Sequence, residues 1–244
     1  MIEVKDLHKS FGGNPVLRGV SLDVREGTTM VVLGGSGSGK TVLMKHMIGL
    51  LKPDRGQVVV DGEDIVPLGD RQLDLVRRKF GMVFQAAALF DSMTVFDNVA
   101  FPLREHSHAS EQEVARIVHD KLEVVGLKDI DAKYPAELSG GMRKRVGLAR
   151  AIALDPKIVL YDEPTTGLDP ITTDYVDEMI LDAQRKLGVT SVVISHDIAS
   201  AFHIADEIAY LQDGQIAVCG PRDVFRRSTH PGLARFLSSW MDKR

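Results

Sequence analysis

The 244-residue chain has one cysteine, Cys219, so no disulfide can close within it, and a reducing compartment is the expectation. No apolar run approaches the length of a membrane-crossing helix. Met1–Asp6 lacks the basic start and apolar stretch of a signal peptide. If the protein works at a membrane, a partner must bring it there. Positive charge is not in surplus either. Lys and Arg number 30 against 34 Asp and Glu, for a net charge of −4, which argues against nucleic acid as a partner. The 8 histidines form no ligand cluster, so no structural metal site is expected. What is present is ordinary for a globular chain: 44% hydrophobic and 26% charged residues, enough for one large α/β domain or two small ones.

The distinctive stretch is Gly34-Gly35-Ser36-Gly37-Ser38-Gly39-Lys40-Thr41, which fits G-x-x-x-x-G-K-[ST]. The apolar run Met30–Leu33 before it reads as a buried strand. Leu43, Met44, Met47, Ile48 and Leu51 after it follow a helical spacing. A glycine-rich turn with an incidental lysine would lack that context. Glycines let backbone N–H groups turn inward around phosphates, and the helix start adds a partial positive charge. Lys40 is then placed to reach the β- and γ-phosphates, and the Thr41 hydroxyl to ligate Mg²⁺.

Ahead of this loop, Ile2–Leu7 and Val20–Val24 alternate apolar and polar around Gly12-Gly13-Asn14-Pro15, an antiparallel β element with Phe11 on its turn. After it, Asp61-Gly62 is a hairpin turn between Gln57–Val60 and Glu63–Val66. Residues 71–79 read as a short helix, and Gly81–Phe84 as a strand ended by Gln85. Residues 86–103 are unusually apolar for a connection. Thr94-x-x-Asp97 and Ser110-x-x-Glu113 are helix starts, the second a capping box closed at Gly126. A helical block thus interrupts the pattern up to about Asp155. Then 157–161 is a strand, 171–187 a helix, 190–194 a strand and 198–205 a helix. Residues 207–211 and 215–219 form a hairpin around Asp213-Gly214. The alternation predicts an α/β fold with a parallel sheet covered on both faces.

Two further stretches carry chemistry. Ile158–Glu163 is an apolar strand ending in two carboxylates. Beside a phosphate loop, Asp162 suits Mg²⁺ and Glu163 suits activation of water. Leu138-Ser139-Gly140-Gly141-Met142 opens a helix with Val146, Leu148, Ala149 and Ile152 periodic along it, with Ser139 either a plain N-cap or part of a second anion-binding helix start. Two such starts in one chain suggest two copies sandwiching a nucleotide.

The order of these motifs resembles the nucleotide-binding subunit of ABC transporters, from about residue 2 to 220. Gly34–Thr41 matches the Walker A motif, Gln85 the Q-loop, Leu138–Gly141 the signature and Ile158–Glu163 the Walker B motif. Asp169 falls in the D-loop and His196 is the switch histidine. The resemblance implies a P-loop NTPase (RecA-like) core with an antiparallel β subdomain and an inserted α-helical subdomain. Residues 1–85 and 156–220 would be the catalytic core, 86–155 the insert, and 221–244 a helical tail. It implies ATP and Mg²⁺ held by Gly34 through Val42, with Asp162 reaching the metal through water. Phe11 would be the adenine platform rather than a core aromatic. Gln85 would contact metal or water, Glu163 would be the base, and His196 would sense the γ-phosphate. Ser139–Gly141 and Asp169 would act across a head-to-tail homodimer. Met142 departs from the common glutamine, removing a side-chain amide while leaving Ser139 and the Gly141 backbone, so activity is expected to be kept.

Ala88–Asp91, Val95–His106 and Leu138–Ile152 further resemble the ATPases of MCE-type lipid transport systems, including the bacterial Mla phospholipid pathway. That branch implies a membrane permease, an MCE-domain lipid-binding protein and a small STAS-domain regulator as partners. It places the chain on the cytoplasmic face of the inner membrane. Leu89, Phe90, Val95, Phe96 and Phe101 would form a socket for a permease helix, or else an ordinary core. In the tail, Leu233, Phe236, Leu237 and Trp240 make an apolar stripe among Arg226, Arg227, Lys243 and Arg244, for self-packing, a second subunit or a small regulatory protein. Arg143-Lys144-Arg145 is expected to be a solvated helix face. The rival functions are an ABC importer or exporter ATPase for another substrate, a soluble ABC ATPase of repair, chromosome maintenance or translation, and a nucleotide sensor that does not hydrolyse. A P-loop GTPase is disfavoured because no Asn-Lys-x-Asp or Thr-Lys-x-Asp occurs.

Overall fold

The computed structural model describes residues 1–241, with side chains through Ser238. Its elements run in chain order as follows. The strands β1 (Ile2–Phe11), β2 (Asn14–Val24) and β3 (Thr29–Leu33) lead into helix α1 (Lys40–Met47). Strands β4 (Arg55–Val60) and β5 (Glu63–Asp64), helix α2 (Asp70–Arg77) and strand β6 (Phe80–Val83) follow. Three helices come next: α3 (Val95–His106), α4 (Glu111–Val124) and α5 (Gly140–Ala151). The alternation then resumes with β7 (Ile158–Asp162), α6 (Pro170–Leu187), β8 (Thr190–Ser195) and α7 (Ile198–Ile204). Strands β9 (Glu207–Gln212) and β10 (Gln215–Pro221), then α8 (Arg222–Arg226) and α9 (Pro231–Met241), complete it.

Six strands form one sheet in the order β10-β9-β3-β8-β7-β6. Neighbours from β9 to β6 are parallel, and β10 joins β9 as an antiparallel edge, the hairpin expected around Asp213-Gly214. Its strands are continuous apolar runs because both faces are covered. Val31, Leu33, Val159, Tyr161 and Val193 point to one face, packed under α3–α7. Met30, Val32, Ile158, Leu160, Val192 and Ile194 point to the other, packed against α1, α2 and the antiparallel sheet β2-β1-β4-β5. Alternation of side chains along each strand divides one apolar run between two cores.

The helix starts are as the capping residues predict. The Ser110 hydroxyl accepts from Glu113 N while Glu113 Oε2 accepts from Ser110 N at 2.8 Å, and Thr94 Oγ1 accepts from Asp97 N at 3.1 Å. Some boundaries move. The first helix stops at Met47 because Gly49 turns left-handed, leaving Leu51 beyond it, and the second arm of the Asp61-Gly62 hairpin is two residues long.

Of Arg143-Lys144-Arg145, Arg143 is exposed as expected, but Lys144 is buried and Arg145 half-buried, so the triplet is not one solvated face. Three consecutive helical residues point about 100° apart, and α5 is enclosed on several sides. Lys144 is 6% exposed and donates to the Pro164 carbonyl. Arg143 donates to Leu138 O at 2.7 Å and Arg145 to Gly126 O at 3.2 Å. The tail stripe packs on its own chain: Leu233 is buried, and the Phe236 ring lies 5.2 Å from that of Tyr210 on β9. The Trp240 side chain, Lys243 and Arg244 lie outside the described residues.

One buried acid joins α6 to α7. Asp177 accepts a hydrogen bond from the Ser200 hydroxyl. Burial pushes its carboxyl up from 3.8 to about 6, opposed by that bond and by nearby His203. Between those two values the folded chain holds a proton that the unfolded chain has lost, so stability falls as pH rises through the window. The ionised carboxylate costs roughly 3 kcal/mol above pH 6. Asp177→Asn is therefore expected to raise the melting temperature at pH 8, with the gain shrinking below pH 6 and absent near pH 4. Melting curves of both proteins across that range test it.

Candidate nucleotide site

The parallel register brings the ends of separate strands to one edge of the sheet. Leu33 of β3 stands opposite Ser195 of β8, and Asp162 of β7 opposite Ile194. The residues that follow those ends share a cleft of about 1120 Å³. Gly35, Ser36, Gly37, Lys40 and Thr41 come from the loop after β3, Gln85 from beyond β6, Glu163 and Thr166 from beyond β7, and His196 from beyond β8.

Two glycines of the loop are required by space and backbone. A Cβ on Gly34 would lie 2.5 Å from the Leu211 carbonyl, so no side chain fits between this turn and β9. Gly39 has φ +104 and is the N-cap of α1, a conformation that a side chain disfavours. The Lys40 ammonium is drawn into the loop, donating to Gly34 O at 2.8 Å and Gly35 O at 3.0 Å. It is 7% exposed and lies 3.6 Å from Glu163 Oε1. Val42 sits half-buried against the core behind the loop.

Glu163 is held from several directions. His196 Nδ1 lies 2.6 Å from its Oε2, and the Thr166 hydroxyl donates to the same oxygen at 2.9 Å. Its backbone N–H donates to Ile194 O at 2.9 Å, and its φ is +50. That left-handed conformation costs about 1–2 kcal/mol outside glycine, and these fixed contacts hold it. Thr166 was not singled out from sequence. A hydroxyl three residues past a strand-end acid, in a turn, is the signal that could have found it.

Asp162 is the group that fits a cation. Its Oδ1 is buried with no hydrogen-bond partner among the described residues, and the Thr41 side chain hydrogen-bonds the carboxylate. Burial first, then the charge of Glu163, raises its pKa. A desolvated carboxylate with an orphaned oxygen beside a threonine hydroxyl is a donor set for a hard divalent ion.

Not every expected residue joins this cleft. Ser139, Gly140, Gly141 and Asp169 line a second cleft of about 940 Å³ with Gly167 and Leu168. There Ser139 caps α5, accepting from Met142 N at 3.2 Å, and Asp169 caps α6. Met142 packs against the apolar core. Phe11 stands 43% exposed on the β1–β2 turn, with the Lys9 ammonium 5.6 Å from its ring centre, and lines neither cleft. A third groove, about 660 Å³, is lined by Phe80, Phe84, Phe90 and Phe101 with Arg77 and Arg150. It takes Phe90 and Phe101 from the expected socket, but Val95 is fully buried and Phe96 lies beside Arg104 and His119 instead. Val95 and Phe96 are neighbours on α3 and point about 100° apart, so they do not face the same side.

Residues 17–166 match the family model described as "ABC transporter". Over 237 residues the chain is 45% identical to the probable ribonucleotide transport ATP-binding protein mkl of Mycobacterium leprae, covering 97% of this chain and 68% of that one. It spans 66% of the Mycobacterium tuberculosis counterpart, about two thirds of these mycobacterial relatives. Over 242 residues it is 41% identical to the intermembrane phospholipid transport system ATP-binding protein MlaF of Haemophilus influenzae, covering 99% and 92%. Among solved structures, the dimeric post-hydrolysis state of the ATP-binding cassette MJ0796, bound to ADP and Pi, superposes with a TM-score of 0.81 at 32% identity, covering 91% and 98%. CbiO1 of Clostridium perfringens, part of the ABC transporter complex cbiONQ, gives 0.86 at 28%, covering 93% and 90%. With the phosphate loop, the paired acids and the sheet that aligns them, the chain belongs to the ABC transporter family, as one of its ATP-binding cassettes.

Proposed function

We propose that this cassette hydrolyses ATP to drive a membrane permease that moves phospholipid, working as a head-to-tail pair of identical chains. The observation that carries the pairing is the separation of the two anion-binding helix starts. Lys40 and Ser139 open into different clefts of one chain, so each completes a site only with a second copy. The cassette MJ0796, which it resembles, is dimeric, and that supports a pair of copies.

Within each site the loop from Gly34 to Val42 wraps the phosphates, and the Lys40 ammonium balances their charge. Thr41, Asp162 and Gln85 are the residues that would hold Mg²⁺, Asp162 through water, and the ion supplies charge neutralisation on the phosphates. Glu163 takes the proton of the attacking water, oriented by Thr166 and His196 on its Oε2. His196 contacts the γ-phosphate, Phe11 stacks on adenine, and Ser139–Gly141 and Asp169 act on the partner's nucleotide. Closure follows from contacts that only the γ-phosphate provides, and its loss reopens the pair. Met142 leaves the Ser139 hydroxyl and the Gly141 backbone in place.

The working unit is residues 1–220, with 86–155 as the helical insert and 221–244 as a tail. The groove at Phe84, Phe90 and Phe101 docks the permease. Phospholipid is favoured over ribonucleotide because MlaF is matched along nine tenths of its length and the mycobacterial proteins along two thirds. An MCE-domain protein and a STAS-domain regulator complete the assembly on the cytoplasmic face of the inner membrane. Among the described residues no helix is long and apolar enough to cross a membrane, so attachment through the permease suits this chain.

Glu163→Gln is expected to slow turnover about 10²–10⁴-fold, the range for losing a general base, while labelled ATP still binds. Near-normal turnover in a steady-state phosphate-release assay would overturn the role. Phe90→Glu is expected to abolish co-purification with the permease while nucleotide binding by the isolated chain is unchanged. Recovery of the Glu163→Gln chain with ATP from its native membranes tests the whole assembly. A permease, an MCE-domain protein and phospholipid are expected, and soluble partners alone would discard the transporter.

A further inference from the structure

We propose that Arg150 is a positioning residue that holds the loop between Gln85 and Phe90, and so ties the nucleotide site to the permease groove. This inference rests on the roles given above to Gln85 and to the groove at Phe90.

The loop is under strain and has no glycine to absorb it. Ala87 and Ala88 have φ values of +60 and +48, two consecutive left-handed residues that both carry a Cβ. Such a conformation persists where the surroundings over-determine it. Arg150, on the last turn of α5, supplies the constraint. Its Nη1 donates to Ala88 O at 2.8 Å and its Nη2 to Ala87 O at 2.9 Å. The guanidinium carbon lies 5.7 Å from the centre of the Phe90 ring. Among the described residues Arg150 pairs with no carboxylate, so its hydrogen bonding is directed at this loop.

Three neighbours complete the clamp. Ala87 N donates to Phe84 O at 2.9 Å, which closes the turn around Gln85. Ala87 is buried against Gly147, where an added Cβ would lie 3.2 Å from that of Ala87. At the far end, fully buried Asn98 accepts from Phe90 N at 2.8 Å and donates to Phe90 O at 3.1 Å. The loop is thus fixed at Phe90 by α3 and at Ala87–Ala88 by α5. Gln85 faces the nucleotide cleft and Phe90 the groove, while α5 begins at the signature turn. Arg150 therefore touches the short segment through which a change at Gln85 reaches the groove. A lysine could not replace it, because a single ammonium does not reproduce the planar fork that spans two carbonyls.

The test compares Arg150→Ala, Arg150→Lys, and Arg150→Ala combined with Ala87→Gly and Ala88→Gly, using the full chain. Amide hydrogen exchange at residues 86–90 and steady-state hydrolysis are measured. Arg150→Ala is expected to accelerate exchange in that segment and lower kcat about 10- to 100-fold, as small misplacements in an active site do, with KM for ATP little changed. Arg150→Lys should move both readouts in the same direction, which keeps the test available if the alanine variant does not fold. The two glycines, which occupy the left-handed region at no steric cost, should restore most of the lost kcat. A packing role alone would show no such rescue. Parental exchange in the lysine variant, or a kcat loss that the glycines do not relieve, overturns the proposal. Gln85→Ala is run alongside. If it leaves hydrolysis unchanged, the role of Gln85 fails, and exchange at residues 86–90 alone decides whether Arg150 holds the loop.

Discussion

The parallel register of β3, β8, β7 and β6 is the constraint from which the site follows. Parallel neighbours must all finish at the same edge, so whatever follows each strand meets there. That edge collects the phosphate loop, Asp162 with Glu163, His196 and Gln85, although they are scattered along the chain. The strands can pair this way because both of their faces are apolar and covered. Antiparallel β10 stops the sheet at one side, and its turn packs on β2, where Arg18 N donates to Gly214 O at 2.8 Å.

Three cations near the motifs, Lys40 and Lys144 buried and Arg150 half-buried, are each tied to backbone carbonyls. Lys40 donates to the carbonyls of its own loop, Lys144 to the carbonyl that follows Glu163, and Arg150 to the loop that follows Gln85. Lys144 loses basicity through burial alone. Burying a cation is costly unless its donors are used, and carbonyls at chain turns supply acceptors that no ladder takes up. Helix α5, which starts at Ser139, contacts both the turn carrying Glu163 and the loop carrying Gln85 through these two side chains. A movement of that helix therefore cannot leave either turn unaffected.

The phosphate loop, the strand-end acids and the helix caps were legible because each is contained in a short segment. Gly34 and Gly39 are demanded by a turn, Ser110 by an N-terminus, and the apolar runs by a covered sheet. The socket was legible in part, since aromatic content marked Phe90 and Phe101 but not the rotation of α3 that buries Val95. In the basic triplet at 143–145 charge marks exposed Arg143 correctly, whereas tertiary packing around α5 buries Lys144 against the Pro164 carbonyl.

By itself the sequence determined the local conformations, the period-two runs that make two cores, and the identity of the glycine loop and the strand-end acids. Those properties depend on a residue and its near neighbours. The tertiary structure alone decided which of them meet. His196 reaches Glu163 across a separation of 33 residues, and Arg150 reaches Ala88 across 62. It also decided that Ser139 opens into a different cleft from Lys40. These distances follow from strand order and helix packing, set by the burial of whole faces at once, a sum over the chain that no single segment displays.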